Sequence, residues 1–307
     1  MNLTSFRSLL TLVEAEFNVS RAAEQLHLVQ PAVSQHIRRL EEELGVRLFV
    51  RNGKRLTGLT EAGEEILLHV RKILAETNNV LDIGRDHAKK SSGILRIATT
   101  HTQACYVLPP VIKEFNRVYP DVELEIHQGT PQQLVKMLLD EKVDLAICTE
   151  ELADNPQTVT VPCYKWNRSL IVKPGHPLLN RQRFTLKTLC NYPIITYVFG
   201  FTGRGHFSDV FDKAGLKPSV VLSAADTDVI KTYVREGMGV GIIASLAYNT
   251  KQDRDLELRE LNNLFPWEVT RIAYLKGKYL RHYQQHFIEI FQACVAEHDR
   301  WTGLLPA

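Results

Sequence analysis

The chain has 307 residues, 44% of them hydrophobic, which is enough for two or three domains. No apolar run reaches the roughly 20 residues of a membrane-spanning helix. The formal net charge of +2 gives no general attraction to polyanions, so any nucleic-acid contact needs a local excess of cations. Five scattered cysteines, odd in number and without a Cys-x-x-Cys pair, argue against a disulfide framework. The opening Met1-Asn-Leu-Thr-Ser-Phe-Arg lacks the cationic start and apolar core of a signal peptide, so a reduced, cytoplasmic protein with no membrane contact is expected.

The stretch from Val19 to Leu44 reads as two short helices joined by a tight turn. Ser20 is placed to cap the first, and Ala22, Ala23 and Leu26 give it a small, close-packing face. His27 and Leu28 make the turn. Pro31 sits in the first turn of the second helix, where its missing N–H has no partner to lose. Val33, Ile37, Leu40 and Leu44 recur at helical spacing as a buried stripe. The opposite face carries Gln30, Ala32, Ser34, Gln35 and Arg38, short groups and one long cation near the helix start. Such a face suits a helix whose N-terminal residues reach base edges in a major groove.

Gly45 is the expected C-cap. Residues 46–51 read as a strand, Asn52-Gly53 as a hairpin turn and 54–56 as the returning strand. Between positions 38 and 55 stand six cations (Arg38, Arg39, Arg47, Arg51, Lys54, Arg55) against three anions (Glu41, Glu42, Glu43). Arg51, Lys54 and Arg55 make the hairpin tip basic, as a wing touching phosphates requires.

Gln30-Pro-Ala-Val-Ser-Gln, Leu40-Glu-x-x-Leu-Gly-x-x-Leu-Phe and Leu59-Thr-Glu-Ala-Gly63 resemble the winged helix-turn-helix of LysR-type transcriptional regulators over roughly the first 65 residues. That resemblance implies an oligomeric reader of an imperfect palindrome in promoter DNA, governed by a small molecule bound further along the chain, and contact with RNA polymerase.

Thr60 is a good N-cap for the next helix, on which Ile66, Leu67, Val70, Ile73, Leu74, Thr77 and Leu81 share a face as far as about Ile83. An apolar stripe on so long a helix predicts pairing with its twin in a second chain, with Ile66, Val70, Ile73, Leu74 and Leu81 on the dimer seam; the alternative is packing against the chain's own C-terminal domain. Residues 84–93 are polar and end in glycine, which reads as a linker. The expected domains are a DNA-binding head over 1–59, a linker helix and hinge over 60–92, and an effector domain over 93–307.

From residue 94 strands and helices alternate. Strands are predicted over 94–99, 122–127, 144–148 and 159–163, with helices over 108–118 and 132–139. A second lobe follows, with strands over 170–172, 194–197 and 220–223 and helices over 205–214 and 227–236. The chain then returns through a strand over 268–275 and a helix over 281–297. Lobe I is expected over about 93–163 and 267–307, and lobe II over about 164–266, as two parallel α/β lobes with a ligand cleft where strand ends meet helix starts. The LysR resemblance implies the same architecture, similar to periplasmic binding proteins. The fold class is thus α/β behind a winged helix-turn-helix and a linker helix.

Thr99-Thr-His-Thr-Gln103 follows a strand and opens a helix, so its hydroxyls, amide and unpaired N–H groups converge on one spot suited to an anion. Cys148-Thr-Glu150 and Phe199-Gly-Phe-Thr-Gly203 repeat the design. Thr100, Thr102, Gln103, Thr149 and Thr202 are therefore the candidate effector ligands, with His101 and Glu150 placed to tune the charge of what binds. Ala98-Thr-Thr-His-Thr-Gln103, Pro162-Cys-Tyr-Lys-Trp-Asn-Arg-Ser169, Thr196-Tyr-Val-Phe-Gly-Phe-Thr-Gly-Arg204 and Asp226-Thr-Asp-Val-Ile-Lys-Thr-Tyr-Val234 resemble the CysB-like subgroup of LysR regulators. The resemblance implies control of sulfur assimilation and cysteine biosynthesis, a homotetramer built from dimers, and acetylserine, sulfate or a related anion as effector. It maps a sulfate-type site onto the same five residues, and Tyr164 and Trp166 fall where they line an inducer pocket or pack in the core. Cys105 departs from the subgroup, which usually has arginine there.

Enzyme readings find no support. No His-Glu-x-x-His or Gly-x-Ser-x-Gly occurs, the eleven histidines do not cluster, and Gly237-Met-Gly-Val-Gly241 has the wrong spacing for a dinucleotide. No catalytic residue, metal or cofactor is expected. Two alternatives remain open: a LysR regulator of sulfonate use answering to another anion, and an anion-binding protein or enzyme with a vestigial head.

Overall fold

In the computed structural model, which describes all residues except 1, 54, 89–91, 150–151, 153–154, 182, 199–203, 298–301 and 304–307, the chain divides into two units, Met1–Lys89 and Lys90–Ala307. Lys54, Glu150 and Thr202 from the candidate sites lie outside the described residues.

The first unit runs α1 (Leu3–Glu14), α2 (Val19–Gln25), α3 (Gln30–Leu44), β1 (Phe49–Asn52), β2 (Arg55–Leu59) and α4 (Glu61–His87). Asn18, not Ser20, caps α2, its side chain accepting from the Arg21 N–H at 3.1 Å. The turn before it holds Glu16 and Phe17 at positive φ, which swings Asn18 into the cap position and leaves Ser20 inside the first turn. Gly45 ends α3 at φ +70, as its sequence position predicts. The first wing strand starts at Phe49 rather than Val46, because the buried Glu41 carboxylate accepts from the N–H groups of Leu48 (2.9 Å) and Phe49 (3.4 Å) where a strand partner would stand.

Thr60 caps α4 by accepting from the Gly63 N–H at 3.0 Å, and its hydroxyl donates to the Arg47 carbonyl at 2.7 Å. Gly63 is required by contact: a Cβ there would collide with the Leu48 carbonyl oxygen. Leu67, Val70 and Leu74 enter the unit's own core beside Phe6, Leu9, Leu12, Ile37 and Leu40, with Ile66 packed at its edge. The first half of the α4 stripe thus packs within its own unit. Ile73 and Leu81 are exposed, with Leu68, Val80 and Ile83. The helix also continues through Gly84 to His87, with Arg85 paired to Asp82 at 3.0 Å, so residues 84–87 are helix rather than linker.

The second unit holds two lobes. Lobe I contributes β3 (Gly93–Thr99), α5 (His101–Tyr106), α6 (Leu108–Val118), β4 (Val122–Gln128), α7 (Pro131–Leu139), β5 (Leu145–Cys148) and β6 (Thr158–Trp166). Lobe II follows with β7 (Arg168–Val172), α8 (Leu186–Leu189), β8 (Ile194–Tyr197), α9 (Arg204–Lys213), β9 (Val220–Ala224), α10 (Thr227–Arg235), β10 (Val240–Ala244) and β11 (Glu257–Glu260). The chain returns through β12 (Glu268–Leu275), α11 (His282–Ala296) and β13 (Thr302–Gly303). Thr130 and Asp226 cap α7 and α10, fixing two helix starts on the strand-end side of the sheets.

The sheet orders are β13-β6-β12-β5-β3-β4 and β11-β7-β10-β8-β9. Neither sheet is wholly parallel, contrary to expectation. β3 runs parallel to β4 and β5, but β12 is antiparallel to β5 and β6, and β7 is antiparallel to β10 and β11. The reason is topological: β6 leaves lobe I where β12 enters it, so the crossings lie side by side in opposite directions. β6 stays in the lobe I sheet to its end, which puts Tyr164 and Trp166 in lobe I and not at the start of lobe II. At the crossing the Asn167 amide donates to the Phe265 carbonyl at 3.1 Å. Arg168 pairs with Glu268 at 2.8 Å, both nearly fully buried, and its guanidinium lies between the rings of Trp166 and Phe265. Among the described residues no helix is long and apolar enough to cross a membrane.

Candidate functional site

β3 delivers Thr99 and Thr100 to the lobe interface. The Thr99 hydroxyl is used internally, donating to the Ile147 carbonyl at 2.9 Å. Thr100 has the extended backbone of an N-cap but makes no side-chain capping bond, so its hydroxyl is left for another partner. Thr102 and Gln103 follow in the first turn of α5, both buried. A narrow cavity, with about 10 Å³ open to the centre of a water-sized molecule, is lined by Thr100, Thr102, Gln103, Pro131, Thr149 and Trp166 from lobe I and by Ala244 and Leu246 from lobe II. Four of the five residues selected from sequence therefore meet at one place.

The wall behind the cavity is a continuous hydrogen-bond network. Trp166, which can only donate, gives its indole N–H to Thr149 Oγ1 at 3.1 Å. Thr149 Oγ1 lies 3.3 Å from Thr270 Oγ1, and Gln103 Nε2 donates to Thr270 at 3.4 Å. Burial pushes the Tyr164 phenol well above its ordinary value and keeps it protonated, so it donates to Gln103 Oε1 at 2.6 Å. With an acceptor position of Thr149 filled by the indole, its own hydrogen goes either to Thr270 or into the cavity. Among the described residues, no carboxylate and no cation is among the lining side chains. Such a wall of neutral donors favours an anion over a cation.

Trp166 thus lines the cavity, whereas Tyr164 stands behind it and acts through Gln103. His101 does not line it, because one step along α5 turns its ring outward: Nε2 lies 3.4 Å from Cys105 Sγ and 3.7 Å from Asp228 Oδ2. Thr270, Tyr197 and the apolar residues Pro131, Ala244 and Leu246 were not anticipated. Tyr197 accepts from the Ala244 N–H at 3.1 Å and lies 2.6 Å from the Thr227 hydroxyl, with Thr102 close enough across the lobes to influence its phenol. Thr270 was legible only as a hydroxyl at an inward position of a buried strand.

In the first unit Ser20, Gln30, Pro31, Ser34, Gln35 and Arg38 are exposed and Ala32 is half-buried. Val29, the N-cap of α3, is exposed and makes no side-chain cap, so the helix start is open to a partner. Ser20 and Gln30 share a groove with Arg21 and Arg55, and Arg38 shares another with Arg47 and Arg51. Arg51 is partly committed to the protein itself through Glu41 at 3.2 Å. Arg55 was read from sequence as part of the basic wing tip, whereas Arg21 was not singled out.

Residues 3–64 match the family described as bacterial regulatory helix-turn-helix protein, lysR family, and residues 88–295 match the LysR substrate binding domain. The chain is 44% identical to the HTH-type transcriptional regulator SsuR of Burkholderia cenocepacia over 95% of its length and 94% of the relative's. It is 45% identical to the transcriptional regulator CysB of the same organism over 94% and 93%. The crystal structure of the cofactor-binding domain of the Cbl transcriptional regulator covers 66% of this chain and 90% of that one, with a TM-score of 0.64 at 40% identity. These relatives are transcriptional regulators, not enzymes, and the family joins a DNA-binding head to an effector-binding domain. With its open recognition helix, basic wing and two-lobed cavity, the chain belongs to the LysR family of transcriptional regulators, in the group of CysB, SsuR and Cbl.

Proposed function

We propose that this regulator controls sulfur-assimilation and cysteine-biosynthesis genes from the cytoplasm, and that its interlobe cavity takes an anionic sulfur-related effector. The observation that carries the reading is the cavity wall, in which Thr100, Thr102, Gln103 and Thr149 bring hydroxyl and amide groups together and, among the described residues, no carboxylate intervenes. Sulfate or the carboxylate of an acetylserine matches that pattern, and Thr202 and Glu150 belong to the proposed site. Ser20, Gln30, Pro31, Ala32, Ser34, Gln35, Arg38, Arg51 and Lys54 are the proposed DNA contacts. The exposed Ile73 and Leu81 on α4 support a dimer seam, from which a homotetramer with access to RNA polymerase would be built. Isothermal titration with sulfate, O-acetylserine and N-acetylserine, alongside gel shifts on promoter DNA of sulfur-assimilation genes, tests both halves. Failure of every anion to bind, or failure to distinguish promoter from random DNA, would reject the corresponding half.

A second effector, an aliphatic sulfonate, is favoured by one observation: Pro131, Ala244 and Leu246 give the cavity an apolar side able to receive a short carbon tail. Adding ethanesulfonate to the titration panel separates it from bare sulfate.

A further inference from the structure

Outside the cavity, on the other face of α5, three groups of different chemistry converge from both lobes. His101 and Cys105 stand one helical turn apart on α5, and Asp228 comes from the first turn of α10 in lobe II. Their ligating atoms all lie within 4.8 Å of one another. His101 Nε2 is 3.4 Å from Cys105 Sγ and 3.7 Å from Asp228 Oδ2. Tetrahedral zinc with bonds of about 2.0–2.3 Å holds neighbouring ligand atoms about 3.3–3.8 Å apart. The two distances centred on the imidazole fit that requirement, and the third closes with a small side-chain rotation.

Two further observations concern the supporting groups. Asp228 is already oriented, since its Oδ1 accepts from the Tyr106 hydroxyl at 2.5 Å, and Lys231 Nζ in turn lies 3.1 Å from that hydroxyl. Oδ2 is thereby left facing the imidazole. A hydrogen bond of this kind fixes a ligating carboxylate. The other ring nitrogen of His101, Nδ1, is buried with no hydrogen-bond partner among the described residues, so Nε2 is the ring atom turned to the cluster.

We propose that His101, Cys105 and Asp228 form a binding site for a zinc-type divalent transition metal that staples the two lobes together beside the effector cavity. Thiolate, imidazole and carboxylate together select zinc-like ions over magnesium or calcium, which prefer all-oxygen shells. Three protein ligands leave a fourth position for water. The site goes beyond the expectation of a metal-free protein and does not depend on which ligand fills the cavity.

Cobalt(II) is the probe, added alone to the metal-free full-length protein. The expected result is one ion per protomer, with a thiolate-to-cobalt charge-transfer band and intense tetrahedral visible absorption, both removed by adding zinc. Cys105→Ser abolishes the charge-transfer band, and Asp228→Asn weakens apparent affinity at least tenfold. Cys105 is exposed, so its substitution leaves the fold intact, with circular dichroism as the check. Zinc also raises the unfolding midpoint of the wild type and not that of Cys105→Ser. Absence of a charge-transfer band in the wild type, or its persistence in Cys105→Ser, overturns the proposal.

Discussion

Tyr164 donates a 2.6 Å hydrogen bond to Oε1 of Gln103, and this single contact decides which way the amide faces. With its oxygen held by the phenol, Gln103 presents nitrogen to Thr270 and the cavity side. Tyr164→Phe removes the donor and leaves a buried carbonyl oxygen without its partner, which typically costs about 1–3 kcal/mol. We expect the variant to unfold at lower denaturant and to bind sulfate several-fold more weakly, measured by urea titration and calorimetry. Unchanged affinity would show that Gln103 is held by the rest of the wall.

Thr102→Val keeps the side-chain shape and deletes one hydroxyl. A hydrogen bond to a charged partner contributes about 1.5–3 kcal/mol, so effector affinity should fall roughly tenfold or more. The same hydroxyl stands near enough to the Tyr197 phenol of the opposite lobe to influence it, so closure should suffer too. Calorimetry with sulfate and acetylserines measures the loss, and gel shifts without effector should be unaltered. Wild-type affinity in this variant would place the ligand elsewhere.

On the DNA side, Arg38 lies on the exposed face of α3 and Arg55 on the wing. Arg38→Ala should cost about 1–3 kcal/mol on specific promoter DNA and relax sequence preference. Arg55→Ala should weaken specific and random DNA alike and reduce the salt slope by about one unit. Fluorescence anisotropy across a salt series reads both, and identical behaviour of the two variants would remove the distinction.

The divided stripe of α4 gives opposite outcomes for neighbouring substitutions. Ile73→Glu, at an exposed position, should dissociate the assembly while the head stays folded. Val70→Glu places a charge in the head's own core and should unfold it, because an unpaired buried charge is costly. Analytical ultracentrifugation and circular dichroism separate the two. An unchanged sedimentation profile for Ile73→Glu would show that this face does not carry the seam.

The cysteines respond to pH in a calculable direction. Burial pushes the Cys163 thiol up to about 12 from its ordinary 9.0. The folded state therefore holds a proton that the unfolded chain releases, and stability is expected to fall as pH rises past about 9. Cys105 is pushed up by burial and by the Asp228 and Asp226 charges. Since the thiolate is the reacting form, iodoacetamide should label Cys105 more slowly than free cysteine at neutral pH, and faster as pH rises. Cys163 should stay unlabelled until the protein is denatured. Mass spectrometry of labelled peptides checks both statements.

The helices and strands that carry strong periodicity were legible in the sequence. Leu108–Val118 and Ile194–Tyr197 match their predicted bounds, and Gly45 and Thr60 cap as their residue types require. What failed did so where a tertiary partner overrode a local signal. Asn18 took the cap expected of Ser20 because of the turn before it, and the Glu41 carboxylate delayed the wing strand. The stripe on α4 was visible, but nothing local says that Val70 meets α1 while Ile73 does not. In the cavity, Thr100, Thr102 and Gln103 sit at a strand-to-helix turn and Thr149 at a strand end, positions whose composition announces them. Thr270 lies in mid-strand, and Ala244 and Leu246 come from the other lobe, so only the folded topology brings them near.

The placement of β12 has a consequence for synthesis. It fills the middle of the lobe I sheet, between β6 and β5, yet β6 and β12 are separated by roughly 100 residues that form lobe II. Domains emerge from the ribosome N-terminus first. The strands of lobe II are therefore all available before lobe I has its central strand, and lobe I matures last although its chain begins first. Until residue 268 has emerged, β5 and β6 present unpaired edges, the surface on which nascent chains associate wrongly. A pause in translation just before β12 should be the most hazardous moment for this chain, whereas one after Leu275 leaves chiefly the Phe287 and Phe291 rings of α11 to be added.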